Sequence, residues 1–518
     1  MSYSLSIPER LNLYLERRRW LLLALITVLY FAGTLAVASS RPLWFDEIFT
    51  AYLARLGSTT QLWSALAEAT DVTPPLFNLI TRTSVLVFGP TELALRLPAV
   101  AGFWLMGLCI FVFVRKRASI LYAAAALLIP ICIEAGVYAS EARPYGLVLG
   151  GCGLALACWQ AAADGSRRWA AIPGLALALA FTTSCHYYGA LFLFPLAAGE
   201  FVRTLERRKV DWMIWSAFCA VPLTLLGHLS WIRLAMTYSG GAWSMGGLGS
   251  LSATYSVILG SYAPVAFAGV ALTAGMMISS RAKGLPVFTT TTSWETTAIA
   301  ATIALPLLVL VVSRVTNGIF AYRYALPAVI GCAVAIAVVP LRTRHQTAAL
   351  GLGYFAVFSI SFVGLETWHM RHYFRSNEPS KAAQLTRVLQ GSPQAVAIAD
   401  AHQYLQLAYY APQELRSRLY FVASPQEARR LMHFDDDDRS LLLLRHWAPL
   451  NVSEYEPFLR KNLTFGLYGR PTEGWLLAKC LEEQVPVTAD KLIGENMLML
   501  VNSKSPLAGN LALGRDDN

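Results

Sequence analysis

Two acids stand side by side in the stretch "WFDE". Asp46 and Glu47 lie between Trp44, Phe45 and Ile48, just past an apolar run from Trp20 to about Ala38. Carboxylates near a membrane boundary are costly unless solvated, paired or metal-bound. An adjacent pair on a short, aromatic-lined segment suits divided roles, one carboxylate as general base and the other orienting a ligand. Solvated acids in an interfacial loop are the plainer reading, and the aromatic surroundings weigh against it. "YASEARPYG" adds Glu141 and Arg143, stiffened by Pro144. Arg143 can lock onto Glu141 or Asp46 as a register-setting ion pair. "SCHYYG" supplies His186, Tyr187 and Tyr188. The histidine can be structural, while the tyrosines offer a ring to a sugar or prenyl chain and a hydroxyl to a polar group. "SRVTNGIFAYRYALP" carries Arg314 and Arg323, the latter between Tyr322 and Tyr324. Guanidinium groups here fit the phosphate of an anionic lipid head; snorkelling at the start of a span is the alternative for Arg323.

The elements that position these residues follow from composition. Of 518 residues, 55% are hydrophobic and 14% charged, and the mean hydropathy is +0.47. Soluble domains carry roughly 25% charged residues, so the chain reads as a polytopic membrane protein. The formal charge of +10 is explained by short basic clusters between apolar runs, which excludes nucleic acid as the implied partner. The 8 cysteines show no metal or disulfide spacing and read as small core residues.

Stretches near 20–38, 92–114, 119–137, 146–163, 170–186, 188–202, 212–232, 253–278, 295–313, 323–340 and 347–366 are apolar enough for spans. That makes about eleven, with 170–186 and 188–202 short. Arg17–Arg19, Arg115–Arg117, Arg167 and Arg168, Arg203–Lys209, Arg281 and Lys283, and Arg342 and Arg344 mark every alternate loop as basic. By the positive-inside rule these face the cytoplasm, and all the polar motifs fall on the opposite, extracytoplasmic face. Residues 39–91 form the first outer loop. "STTQLWSALAEA" reads as an interfacial amphipathic helix, and Pro74 and Pro75 start another over 76–88. The Gly/Ser-rich loop 239–252 fits either a lid or a linker.

The transmembrane part thus covers 1–366, and 367–518 reads as a C-terminal extracytoplasmic α/β domain. There, "AVAIAD" and "SLLLL" read as strands, and "AHQYLQLAYYA" and "SPQEARRLMHF" as helices. "DDDD" at 435–438 reads as a solvated turn, since it lacks calcium-loop spacing.

As an ordered set, "WFDE", "TPPLFNLI", "EARPYG", "HYYGALF" and "AYRYALP" resemble the GT-C glycosyltransferases that use polyprenyl-phosphate sugars. The branches in question are the protein O-mannosyltransferases, the aminoarabinose lipid A transferases and bacterial lipopolysaccharide glycosyltransferases. The resemblance implies a GT-C fold and a sugar donor on prenyl phosphate at the outer face of a bacterial inner membrane. It implies a hydroxyl acceptor on lipid, glycan or protein. Asp46 maps onto the family's first-loop acid as general base. Arg323 and Arg143, then Arg314, hold the donor phosphate. Glu47 and Glu141 orient the acceptor or hold a divalent cation, and His186, Tyr187, Tyr188, Tyr322 and Tyr324 bind substrate. A DxD metal motif is absent from the first outer loop, so metal-independent chemistry is expected over a Mg or Mn enzyme. The rival class is a transporter or flippase of a lipid-linked sugar. Transporters place ionisable groups near mid-membrane in repeated halves, and no internal repeat is visible here.

Overall fold

The computed structural model describes residues 6–238, 248–260, 291–316, 320–338, 348–375, 381–388, 394–470 and 472–503. Of the Gly/Ser-rich loop expected at 239–252, residues 239–247 lie outside the described residues and 248–252 instead open a helix, Leu248–Leu259; the span continuing past 260 also lies outside them. The first ten α-helices are α1 (Ile7–Arg17), α2 (Arg19–Ser40), α3 (Phe45–Ala54), α4 (Thr59–Ala67), α5 (Pro75–Phe88), α6 (Glu92–Arg115), α7 (Ile120–Cys132), α8 (Tyr145–Ala163), α9 (Arg168–Cys185) and α10 (Leu193–Arg207). The chain divides into two compact units. One takes Met1–Arg41, Thr73–Arg233 and Ser244–Arg375; the other takes Pro42–Val72, Leu234–Trp243 and Ser376–Asn518.

The first unit is a helical bundle. Among the described residues, α2, α6, α8 and Ala348–His369 are long and apolar enough to cross a bilayer. Three bent pairs raise the number to seven: α7 with Glu134–Ser140, Trp212–Gly227 with Leu229–Ala235, and Ser293–Ile303 with Leu305–Val315. Helices occupy each described stretch that hydropathy marks, but fewer than the expected eleven run unbroken. Pro130 and Pro306 stand beside two of the bends, where a missing N–H and the ring interrupt helical bonding. The expected span 188–202 is instead a 3-10 turn, Tyr187–Phe192, followed by the amphipathic α10. At 14 residues, α5 is about 21 Å long, too short to span on its own.

The tightest crossing is between α6 and α8. A Cβ on Gly150 would sit 2.5 Å from the Gly102 carbonyl oxygen, and one on Gly146 would sit 2.4 Å from that of Ala99. Without a hydrophobic drive between helices in lipid, such close backbone approach is what holds them.

The two ends of this bundle differ in chemistry. At one end the basic loops form ion pairs. Arg117 reaches Glu295 at 2.8 Å and Asp164 at 2.7 Å, and Arg168 and Arg203 each meet Asp211 at 2.8 Å. Arg115 pairs with Glu16 there too. The Arg168 guanidinium holds the Asp211 carboxyl below its ordinary range. The opposite end carries the polar turns Glu134–Ser140, Tyr187–Phe192 and Tyr322–Ala325. This is the segregation of loops read from the charges.

At that second end, α2 is closed by a side chain. Its Ala38 carbonyl would ordinarily accept from residue 42, which is proline and has no N–H. The guanidinium of Arg96, fully buried on α6, donates through Nη1 to the Ala38 and Arg41 carbonyls at 2.7 Å each.

The second unit is built on a six-stranded sheet of order β3-β2-β1-β4-β6-β5. The strands are β1 (Val396–Ile398), β2 (Leu419–Ala423), β3 (Val452–Glu454), β4 (Thr464–Gly469), β5 (Val487–Ile493) and β6 (Asn496–Asn502). β1 to β4 pair in parallel with helices between them; β4, β6 and β5 are antiparallel. The helices expected from "AHQYLQLAYYA" and "SPQEARRLMHF" run over Ala401–Tyr410 and Pro425–Met432. Two expectations fail together. "SLLLL" is not a strand but the body of a helix, Asp436–Leu444, and "DDDD" opens that helix rather than forming a solvated turn. Acids in a first turn complement the helix dipole, and a short apolar run does not by itself distinguish strand from helix. Asp435 and Asp438 are buried. The Asp438 Oδ1 accepts from the Ser424 N–H at 2.7 Å and the Trp475 indole at 2.9 Å.

Candidate active site

Asp46 and Glu47 do not lie in a loop. They occupy the first turn of α3, whose amphipathic body packs within the second unit. Glu47 is fully buried and accepts from the Trp44 N–H at 3.3 Å, so it caps the helix. Asp46 is half-buried one residue earlier. The C-terminal sequence holds this segment. The Leu43 N–H donates to the Tyr410 hydroxyl at 2.7 Å, the Gln406 amide donates to the Leu43 carbonyl at 3.2 Å, and the Arg55 guanidinium donates to the Tyr409 hydroxyl at 2.5 Å. The Phe45 ring stacks on His402 with centroids 4.2 Å apart, and His402 Nε2 lies 3.8 Å from the Asp437 carboxylate. Burial pushes the Asp437 carboxyl up, His402 pulls it down, and Asp400 and Asp46 push it up again. Asp46 therefore belongs to one electrostatic group with His402, Asp400 and Asp437. None of those three was a candidate from sequence. Only the "DDDD" run drew notice.

The remaining candidates gather in the first unit. His186 ends α9; its Nδ1 accepts from the Tyr188 N–H at 3.3 Å and starts the Tyr187–Phe192 turn. Its structural role is thus real. Its ring also sits 5.2 Å from Tyr324, 5.7 Å from Tyr145 and 5.9 Å from Tyr188. Tyr188 and Tyr324 stack at 4.4 Å, with 16° between their planes. The Tyr188 hydroxyl bonds Thr316, in the turn after the helix that carries Arg314. Tyr145 opens α8 and packs edge-on to Tyr138 at 5.2 Å. Tyr138 in turn hydrogen-bonds Tyr322, and the Glu141 charge acts on it. Three turns distant in sequence are therefore one aromatic array. Glu141 is buried, Arg143 and Arg323 are half-buried, and Arg314 is exposed in the last turn of its helix. The Arg143 N–H folds back onto the Glu141 carbonyl at 2.7 Å, a tight turn ahead of Pro144. Tyr187 departs from the array towards His228, at 6.5 Å.

Tyr138 and Tyr145 were within the quoted motif, and only an assumption that the whole turn points inward would have singled them out. Arg96 had no signal beyond being an arginine inside an apolar helix. Among the described residues no group of three or more His, Cys, Asp or Glu side chains is placed to hold a metal ion. All eight cysteines are free thiols.

No family model matches the chain, and no curated protein matches it either. Among solved structures it is similar to ArnT from Cupriavidus metallidurans in the apo state, with 14% identity and a TM-score of 0.57. It is similar to the same protein bound to undecaprenyl phosphate, with 14% identity and a TM-score of 0.56. Both alignments cover 95% of this chain and 99% of that chain. The chain accordingly shares the fold of those structures over nearly its full length.

Proposed function

We propose that the protein is a glycosyltransferase that moves a sugar from a polyprenyl-phosphate donor to a hydroxyl acceptor. The observation that carries this reading is the convergence of the Glu141, His186 and Tyr322–Tyr324 turns at the end of the bundle away from the ion-paired basic loops. It is supported by the likeness to a GT-C fold solved with undecaprenyl phosphate. In the reaction the acceptor oxygen bonds to the anomeric carbon as the bond from that carbon to the phosphate oxygen breaks. The acceptor proton passes to Asp46, and the prenyl phosphate leaves with the bonding pair. Single displacement of this kind inverts the anomeric centre. An ordinary ionised carboxylate suffices as base, because the hydroxyl becomes acidic only as its new bond forms.

Charge on the departing phosphate needs cations already in place. Arg323 takes that role first and Arg143 second, with Arg314 nearer the solvent. Tyr188 and Tyr324 present a stacked face to the sugar or the first prenyl units, with His186 and Tyr322 completing the wall and Tyr187 set apart towards His228. Glu141 orients the acceptor, and Glu47 acts through the helix start that it caps. No divalent cation is required. The site would face the periplasm of a bacterial inner membrane, with the N-terminus cytoplasmic.

The test is release of prenyl phosphate by detergent-purified protein from a panel of prenyl-phosphate sugars, with envelope extract as acceptor. Asp46→Asn should abolish turnover with folding intact, and Arg323→Ala should cut it by about a hundredfold or more, the scale of losing a transition-state charge contact. Full turnover by Asp46→Asn would remove the proposed base. No turnover of any donor, combined with movement of a lipid-linked sugar across liposomes, would place the protein among flippases instead.

A further inference from the structure

In the second unit the chain leaves β1 towards β2 and β3, then returns to β4 on the other side of β1. The gap between β1 and β4 is therefore a topological switch point. Open α/β sheets hold ligands at such points, beyond the carboxyl ends of the strands. A cavity of about 170 Å³ lies there. Residues 399–401, directly after β1, form one wall, and 472–475, soon after β4, form another. A glycine lets these two loops meet. Gly474 has φ +74°, and a Cβ on it would stand 2.2 Å from the Ala399 carbonyl oxygen.

Helix N-termini in such crevices commonly take an anion. Here the protein's own acids fill that place. The Asp400 carboxylate accepts from the Gln403 N–H at 2.7 Å, and Asp437 and Asp438 stand in the first turn of Asp436–Leu444. Among the described residues the lining holds four acids, Asp400, Asp437, Asp438 and Glu473, and no lysine or arginine. Glu473 has a cation beside it, Arg470 at 3.5 Å. Asp437 has only His402, at 3.8 Å. Asp438 is 5% exposed, and its Oδ1 accepts from Ser424 and Trp475. Its Oδ2 makes no hydrogen bond among the described residues, and it is not sealed from the cavity. The Asp437 side chain is 27% exposed and likewise makes no hydrogen bond among the described residues. Burial, with the Asp437 and Asp435 charges behind it, pushes the Asp438 carboxyl up to about 6, a shift that a cation in the cavity would oppose.

The same space is lined by Phe421, Phe434 and Trp475, and aromatic faces attract cations. Among the described residues no three of the His, Cys, Asp and Glu side chains are placed to hold a metal ion. The cation that fits thus brings its own N–H donors and a carbon body. Three acids without an arginine beside them call for more than one positive charge. A volume of about 170 Å³ is about six times that of a liquid water, room for a chain of about six non-hydrogen atoms.

We propose that this crevice binds a small aliphatic diamine, with one ammonium between Asp437 and the free oxygen of Asp438, the other towards Asp400, and the methylenes against Phe434 and Trp475. The proposal does not rest on the transferase reading, since binding needs neither prenyl donor nor turnover.

The test is isothermal titration calorimetry of the full-length protein in detergent at fixed ionic strength. The probe is 1,4-diaminobutane, and 1,4-butanediol is its uncharged isostere. We expect saturable one-to-one binding of the diamine and at least about a hundredfold weaker binding of the diol, since each ammonium makes charge-assisted hydrogen bonds worth about tenfold or more. Asp437→Asn and Asp438→Asn should each weaken the diamine about tenfold or more. Asp438→Asn keeps the oxygen that Ser424 and Trp475 use. Phe434→Leu, which alters no charge, should weaken the diamine by about two- to fivefold and covers the case in which the asparagine variants do not fold. Equal heats from diamine and diol would overturn the proposal, as would affinity that survives Asp437→Asn, Asp438→Asn and Phe434→Leu. So would tighter binding of O-phosphoethanolamine, which carries the ammonium on a phosphate as a lipid head does, or binding of Mg as tight as that of the diamine, which would mark a merely acidic surface.

Discussion

Replacing Arg96 by methionine should loosen the site end of α2. The wild-type guanidinium is fully buried and donates to two carbonyls at 2.7 Å, with the Glu92 carboxylate 3.9 Å away. Methionine fills similar volume but donates nothing. The Ala38 carbonyl then lacks the N–H that Pro42 does not have, and the Arg41 carbonyl loses the same donor. A hydrogen bond involving a charged group is worth about 1.5–3 kcal/mol, and a buried polar group left unsatisfied costs about 1–3 kcal/mol. With two carbonyls affected, the expected loss is about 3 kcal/mol or more, within the range for breaking a buried charged contact. Arg96→Lys keeps the charge but reaches two carbonyls less well, so it should lose roughly half as much, about 1.5 kcal/mol. Unfolding in mixed micelles, followed by tryptophan fluorescence, measures the loss. Prenyl-phosphate release should fall in both variants, because residue 41 leads directly into the segment bearing Asp46. If Arg96→Met unfolds and turns over like wild type, some other group closes α2 and the reasoning is wrong.

Four further outcomes are expected. Gly150→Leu should prevent folding, and Gly150→Ala should cost about 1–3 kcal/mol as an overpacked contact, because its Cβ meets the Gly102 carbonyl; yield and melting of the purified protein report this. Tyr324→Leu should raise KM more than it lowers kcat, by up to about tenfold, given that a stacked aromatic pair is worth about 0.5–1.5 kcal/mol. Asp438→Asn should be neutral or stabilising at pH 8. Burial pushes the Asp438 carboxyl up to about 6, so its stabilising contribution is fully present below pH 3.8 and is lost as pH rises through about 6. Asparagine keeps the oxygen that accepts from Ser424 and Trp475 without the charge; hydrogen exchange of β2 at pH 5 and pH 8 should show wild type weakening with pH more than the variant. Turnover should survive EDTA, and loss restored by Mg or Mn would return a metal to the mechanism.

Charge was the most informative signal in the sequence. Alternate basic loops located one end of the bundle; among the described residues Arg117, Arg168 and Arg203 form a network there through Asp164, Asp211 and Glu295, while Arg281, Lys283, Arg342 and Arg344 lie outside the described residues. The motifs left for the other end include the turns that form the aromatic array. The helix starts at Ser58 and Pro75 were also legible, because capping and proline chemistry are local. What stayed hidden depends on contacts far apart in the chain. Nothing near Asp46 says that His402 stacks beside it, and nothing near Arg96 says that a proline far from it leaves a carbonyl without a donor. The acid run at 435–438 was misread because solvation seemed the cheaper fate for four charges. The helix dipole and the Trp475 indole offered another.

The unit that carries Asp46 is discontinuous: Pro42–Val72 is joined to residues from Ser376 onward. The hydroxyl and the amide that hold Leu43 belong to Tyr410 and Gln406, and the ring that covers Phe45 belongs to His402. During synthesis the early segment emerges long before these partners exist. At about 5–20 residues per second, it waits some tens of seconds while the helices between are threaded into the membrane. A chain cut short anywhere before residue 410 leaves α3 without its support, however well the bundle is inserted. Completion of translation thus doubles as the step that assembles the acid-bearing helix.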